Sequence, residues 1–165
     1  MGGGGGSYDT RIIDRLSKVA QNAFEDAQPD KRNVFISFDH RDVNDVNLLR
    51  GQAKNENSDL EFNDYSLKEP FDSERAEYIK SGIRERIRQA SVTVIYISNI
   101  THESKWVDWE VRESIALGKG VICVHKGEKP PDKKPGFIKE FDLKLIPWKH
   151  HELSLAIEEA AKERK

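Results

Sequence analysis

Cysteine is nearly absent from this sequence of 165 residues: Cys123 stands alone, inside an apolar run. A lone thiol cannot close an internal disulfide, so a reducing, cytoplasmic setting is expected. Long apolar runs are missing as well, and nothing approaches the roughly 18 residues that a membrane helix needs. Neither charge sign dominates. The 27 Lys and Arg residues stand against 29 Asp and Glu, leaving a net charge of -2 and no basic stripe. That balance points to neither a nucleic acid nor a membrane surface as partner. The start lacks the charged and then apolar pattern of a signal peptide.

Glycine is concentrated in one place, the opening M-G-G-G-G-G-S-Y. A myristoylation signal wants Ser or Thr where Gly6 stands. No strand precedes these glycines, so they are no dinucleotide fingerprint. Residues 1–7 read as a flexible leader. Next, Ile12, Ile13, Leu16, Val19, Ala20, Ala23, Phe24 and Ala27 fall on one helical face. They predict an N-terminal helix from Tyr8 to Ala27, with a linker to residue 30 in which Pro29 ends the helix.

The main domain is expected over residues 31–165, where strand and helix patterns alternate. Strands are predicted at Val34–Phe38, Leu60–Phe62, Val92–Ile97, Val121–Val124 and within Leu143–Trp148. Helices are predicted at Val43–Asn55, Ser73–Ala90, Lys105–Leu117 and Glu152–Arg164, with a short turn at Phe137–Phe141. Ala76, Ile79, Ile83, Ile87 and Ala90 form the clearest stripe, and Asp72 or Ser73 is placed to cap that helix. Arg84, Arg86 and Arg88 lie off the stripe and read as a solvated face. Gly118 suits a helix C-cap. This alternation predicts an α/β fold with a flavodoxin-like, five-stranded parallel sheet of order 2-1-3-4-5. Helices would cover both faces, and the N-terminal helix would be an addition. Ligands of such sheets sit beyond the carboxyl ends of the strands.

Several chemistries lack their residues. No G-x-x-x-x-G-K-[ST] occurs, so a P-loop is excluded. Ser98-Asn99 stands where a phosphoacceptor domain would carry an aspartate. His150 and His151 would point apart on a helix, and His40, His102 and His125 are scattered, so no metal site is expected. Ser37, Asp39 and His40 are neighbours on a strand end and form no triad by themselves. Carboxylates and aromatics at the strand ends remain. Trp106 and Glu110 share a helix face one turn apart. Spacing leaves two readings open: a solvated acid beside a packing tryptophan, or a carboxyl against an aromatic wall that raises its pKa.

Three segments carry a family resemblance. N33-V-F-I-S-F-D-H-R-D-V43 resembles the first box of TIR domains. L60-E-F-N-D-Y-S-L-K-E-P-F71 resembles their second strand and following loop. S104-K-W-V-D-W-E-V-R-E-S-I-A-L-G-K119, followed by V121-I-C-V124, resembles the helix of NAD-cleaving TIR enzymes that carries the catalytic glutamate, and the strand after it. The likeness covers about residues 33–125 and is greatest to the TIR-like proteins of the bacterial Thoeris anti-phage system.

The resemblance implies Glu110 as the catalytic residue. It implies Ser37, Phe38, Asp39, His40, Asp64 and Trp106 as substrate-binding. It implies cleavage of the nicotinamide–ribose bond of NAD, here a substrate rather than a cofactor. ADP-ribose or a cyclic ADP-ribose-type signal would result, together with self-association through the domain and a downstream effector that reads the signal. Asp39-His40 depart from the basic residues of many animal and plant members, which favours the bacterial branch. Two other functions stay open: a non-catalytic TIR adaptor acting by assembly, and a flavodoxin-like small-ligand module.

Overall fold

The computed structural model describes residues 32–55, 60–63 and 70–163. The leader, the expected N-terminal helix and Asp64 lie outside the described residues. Within them, β1 (Arg32–Ser37) leads through a 3-10 turn (His40–Asp42) into α1 (Val43–Asn55). Then come β2 (Leu60–Asn63), α2 (Ala76–Gln89) and β3 (Val92–Tyr96). A second 3-10 turn (Thr101–Glu103) precedes α3 (Lys105–Ala116), followed by β4 (Gly120–His125) and a short α4 (Gly136–Glu140). The last elements are β5 (Leu145–Pro147) and α5 (His150–Glu163). The strands form one sheet of order β2-β1-β3-β4-β5, and every pairing is parallel.

A parallel strand covered on both faces reads as a continuous apolar run, and all five residues of β3 are buried. Side chains alternate along a strand, which sorts the core into layers. Val34 and Ile36 of β1, Val92, Val94 and Tyr96 of β3, and Ile122 and Val124 of β4 share one layer with Val46 and Leu49 of α1 and Leu153 and Ile157 of α5. On the opposite face, Phe35 meets Ile79, Ile83 and Ile87 of α2. Ile95, Ile97 and Cys123 meet Val107 and Val111 of α3 and Phe137 of α4. Burying each such side chain contributes about 1.5–3 kcal/mol.

Two local features fix α3, a helix that frames the site. Ser104 caps α3 by accepting a hydrogen bond from the Val107 amide at 3.2 Å. Gly118 ends it with φ of 73°, where a side chain would be strained. Lower on α3, the Ser114 hydroxyl donates to the Glu110 carbonyl at 2.7 Å and lies 2.9 Å from Thr93 Oγ1. Its one proton is committed to the carbonyl, so Thr93 donates to Ser114. Both hydroxyls are fully buried and tie α3 to β3.

The α2 start departs from the sequence expectation. The helix begins at Ala76, its N-cap position is Arg75, and no side chain caps it. Asp72 and Ser73 instead lie in a turn, in which the Ser73 amide donates to the Pro70 carbonyl at 3.1 Å. Phe71, in the same turn, packs its ring edge-on against Trp106 at 4.9 Å. Arg84 also departs from the solvated reading. It pairs with Glu113 and lies 5.7 Å over the Trp109 ring.

Candidate active site

The carboxyl ends of β1 and β3 deliver two turns to the same edge of the sheet. After β1, Asp39 caps the His40–Asp42 turn by accepting from the Arg41 amide at 2.9 Å. The same carboxylate accepts from Arg41 Nε at 2.9 Å and Nη2 at 3.1 Å. Arg41 Nη2 also donates to Glu103 Oε2 at 3.2 Å, which links this lip to the turn after β3. Burial pushes the Asp39 carboxyl up, but the hydrogen bonds and charge of Arg41, aided by His40, outweigh it and hold it below its usual value.

A second link lies deeper. Ser98 Oγ donates to Asp42 Oδ2 at 2.7 Å. The Ser98 amide donates to Thr101 Oγ1 at 2.8 Å, and the Thr101 hydroxyl donates to the Tyr96 carbonyl at 3.3 Å. Asp42 is raised above its ordinary value, by burial first and by the Asp39 and Asp45 charges, against the Ser98 hydrogen bond. Its role here is to join the lip to the β3–α3 loop.

Between these turns lies a cleft of about 370 Å³, lined among others by Asp39, His40, Arg41, Phe71, Lys105 and Trp106. Trp106 forms an aromatic corner, edge-on to Phe71 at 4.9 Å and to Trp109 at 6.1 Å. Lys80 Nζ lies 4.5 Å over the Phe71 ring and holds it from the α2 side. The cleft therefore offers an aromatic wall, two cationic side chains and two carboxylates to a polar ligand with a flat ring.

Glu110 sits one helical turn beyond Trp106 and is only 4% exposed. Among the described residues no cation pairs with it. Burial drives its carboxyl well above the ordinary value, and the Ser37 hydroxyl is the one group that opposes this. Ser37 is itself buried, at the end of β1. Burial therefore disfavours the charged form of this carboxyl. A cation brought beside it would draw it into the charged form.

The expected site residues are thus brought together only in part. Asp39, His40 and Trp106 line the cleft, whereas Ser37 and Glu110 are buried and do not line it. Phe38 belongs to the core layer of α1 and α5. Arg41 and Glu103 were not expected. Both look like ordinary surface charges, and only the folded chain shows that they share one carboxylate network. A second cavity, of about 360 Å³, lies at the amino end of β4 between Gly120, Phe141, Lys144 and Glu159. It is at the opposite end of the sheet from Glu110 and brings no buried acid or base to its walls. Among the described residues no group of three or more His, Cys, Asp or Glu side chains converges as metal ligands, and no helix is long and apolar enough to cross a membrane.

No curated protein matches the chain. Among solved structures, it is similar to the TIR domains of the activated Roq1 resistosome recognising the pathogen effector XopQ, at 20% identity and a TM-score of 0.43. That match covers 59% of this chain and 59% of the other, so the chain spans less than two thirds of that relative. The family described as Thoeris protein ThsB, TIR-like domain, matches residues 35–130, from β1 through α3 and β4 and so including Glu110. With more than half of its length matched, the chain belongs to this TIR-like family.

Proposed function

We propose that the chain is a TIR-domain enzyme of bacterial anti-phage defence that breaks the nicotinamide–ribose bond of NAD. The observation that carries this reading is Glu110: a buried acid with no ion pair among the described residues, one turn from a tryptophan that walls a cleft at the carboxyl edge of the sheet. A carboxyl in that position lowers stability, and chemistry is a reason to keep it there.

In NAD the leaving nicotinamide is already cationic on its ribose. It departs as a neutral molecule with both electrons of the glycosidic bond, so no acid is required. The group to stabilise is the ribosyl cation left behind, and a carboxylate does this electrostatically. The positive substrate would itself favour ionisation of Glu110. Water adding to the cation and losing a proton gives ADP-ribose. Addition of an internal nucleophile of the same molecule gives a cyclic product, suited to act as a diffusible signal for an effector. Trp106 would hold a flat ring, Asp39 and His40 would shape the lip, and Arg41 and Lys105 would meet phosphate charge. Ser37, Phe38 and Asp64 complete the set that the family resemblance assigns to substrate. NAD is consumed as substrate, and no cofactor is required.

The test is nicotinamide release from NAD, followed by mass spectrometry of the ribosyl product, in extracts of infected and uninfected cells. Wild type should release nicotinamide and Glu110→Gln should not. Full activity in the Glu110 variant would refute the assignment. One observation favours a second reading, a non-catalytic adaptor: the Glu110 carboxyl does not line the cleft in the isolated chain. That reading requires concentration-dependent self-association with no nicotinamide release at any concentration. If assembly instead switches release on, the enzyme reading stands.

A further inference from the structure

Buried hydroxyls in folded proteins find partners, yet Ser37 Oγ is fully buried and has no hydrogen bond of proper geometry among the described residues. Its position explains what it faces. Side chains alternate along β1, so Ser37 projects to the same face as Phe35, the face covered by α2 and α3. Glu110 is the buried acid that α3 presents to this part of the sheet. Ser37 therefore lies against Glu110 rather than in the cleft, whose walls it does not reach.

Charged groups on the surrounding elements are committed elsewhere. On α2, Lys80 lies over Phe71, and Arg84 pairs with Glu113. On α3, Arg112 is held by Asp108 and Glu140. On β3, Thr93 is neutral and donates to Ser114. Beyond β1, Asp39 is held by Arg41. Among the described residues, the Ser37 hydroxyl is the group that acts on the Glu110 carboxyl.

We propose that Ser37 is a positioning residue for Glu110: its otherwise idle hydroxyl donates to the ionised carboxylate and fixes it in one orientation during the reaction. This rests on the proposed function and reassigns Ser37 from substrate contact to control of the acid. A hydroxyl donates more strongly to the charged carboxylate than to the neutral acid and so favours the charged form. Its loss therefore shifts ionisation of Glu110 to higher pH.

The experiment uses the full chain in wild-type, Ser37→Ala and Ser37→Thr forms. Carbon-13 NMR follows the Glu110 side-chain carboxyl through a pH titration, and nicotinamide release from NAD is measured over the same range under activating conditions. Ser37→Ala should move both the titration and the acid-side limb of kcat/KM to higher pH. Its kcat/KM should fall about tenfold on that limb and converge on wild type as pH rises. Ser37→Thr keeps the hydroxyl and should restore both. A folded Ser37→Ala whose Glu110 titration is unmoved overturns the proposal, and so does a loss of activity that is equal at every pH. If wild type releases no nicotinamide under any condition, the proposed function fails, while the NMR arm still decides whether Ser37 governs Glu110.

Discussion

Replacing Glu110 by Gln tests burial and chemistry in one variant, because the two side chains share a shape and differ in charge. Glu110 is 4% exposed, with burial raising its pKa and only the Ser37 hydroxyl opposing. Its folded-state pKa lies above its unfolded value, near 4.5. Between those two values the folded chain binds more protons than the unfolded one, so stability falls as pH rises through that window. Below pH 4.5 both side chains are neutral, and wild type and variant should melt together. At pH 8 the variant escapes the cost of an ionisable group in a dry site, about 1–3 kcal/mol. For a chain of this size that corresponds to a melting point about 3–9 °C higher. The measurement is a pair of thermal melts at pH 4 and pH 8, followed by circular dichroism, with nicotinamide release assayed on the same samples. Activity should fall about 10²–10³-fold or more. Identical melting differences at both pH values would refute the burial argument. Retained activity would refute the catalytic one.

Three further outcomes follow from the geometry. A Cβ added at Gly120 would lie 2.8 Å from the Ala160 carbonyl carbon and 2.9 Å from its Cβ. Gly120→Ala should therefore force β4 and α5 apart at a cost of about 1–3 kcal/mol, read as a lower denaturation midpoint in urea. Asp39→Ala removes the cap of the lip turn and the anchor of Arg41, at about 1 kcal/mol. Because the Asp39 carboxyl is depressed, its contribution is present above pH 3.8 and is lost as pH falls through its lowered value. The gap between wild type and Asp39→Ala in thermal melts should accordingly close only in strong acid. Trp106→Ala removes the edge-on contact with Phe71. It should raise the KM for NAD about 2–10-fold with a smaller change in kcat, as steady-state kinetics would show.

What the sequence made legible is what periodicity encodes. The stripe Ala76, Ile79, Ile83, Ile87 and Ala90 is buried as its spacing requires. The run Val92–Tyr96 is a central parallel strand, because only a strand covered on both faces can be apolar at every position. Gly118 ends α3 through local backbone chemistry that needs no distant partner. Contacts between segments far apart in the chain were not legible. Arg84 read as solvated because its partners, Glu113 and Trp109, lie on another helix. Asp72 and Ser73 lie in a turn whose Phe71 packs against Trp106 of another helix, a contact no local rule contains. The lip network of Asp39, Arg41 and Glu103 joins turns after different strands.

Glu110 shows why the site was harder to read than the fold. On its own helix nothing separates it from Glu113, since both follow a tryptophan by one turn: Trp106 and Trp109. The strand beneath decides between them. Glu113 meets Arg84 in a half-buried ion pair between two helices. Glu110 is turned onto the end of β1 and meets a serine, a side chain that can donate to a carboxylate without neutralising it. An arginine in place of Ser37 would relieve the burial cost and cancel the negative charge that a ribosyl cation needs. An alanine would leave the acid neutral to higher pH. Burial disfavours the charge on Glu110 while the hydroxyl favours it without cancelling it, so the cost of a buried acid is the condition for its reactivity.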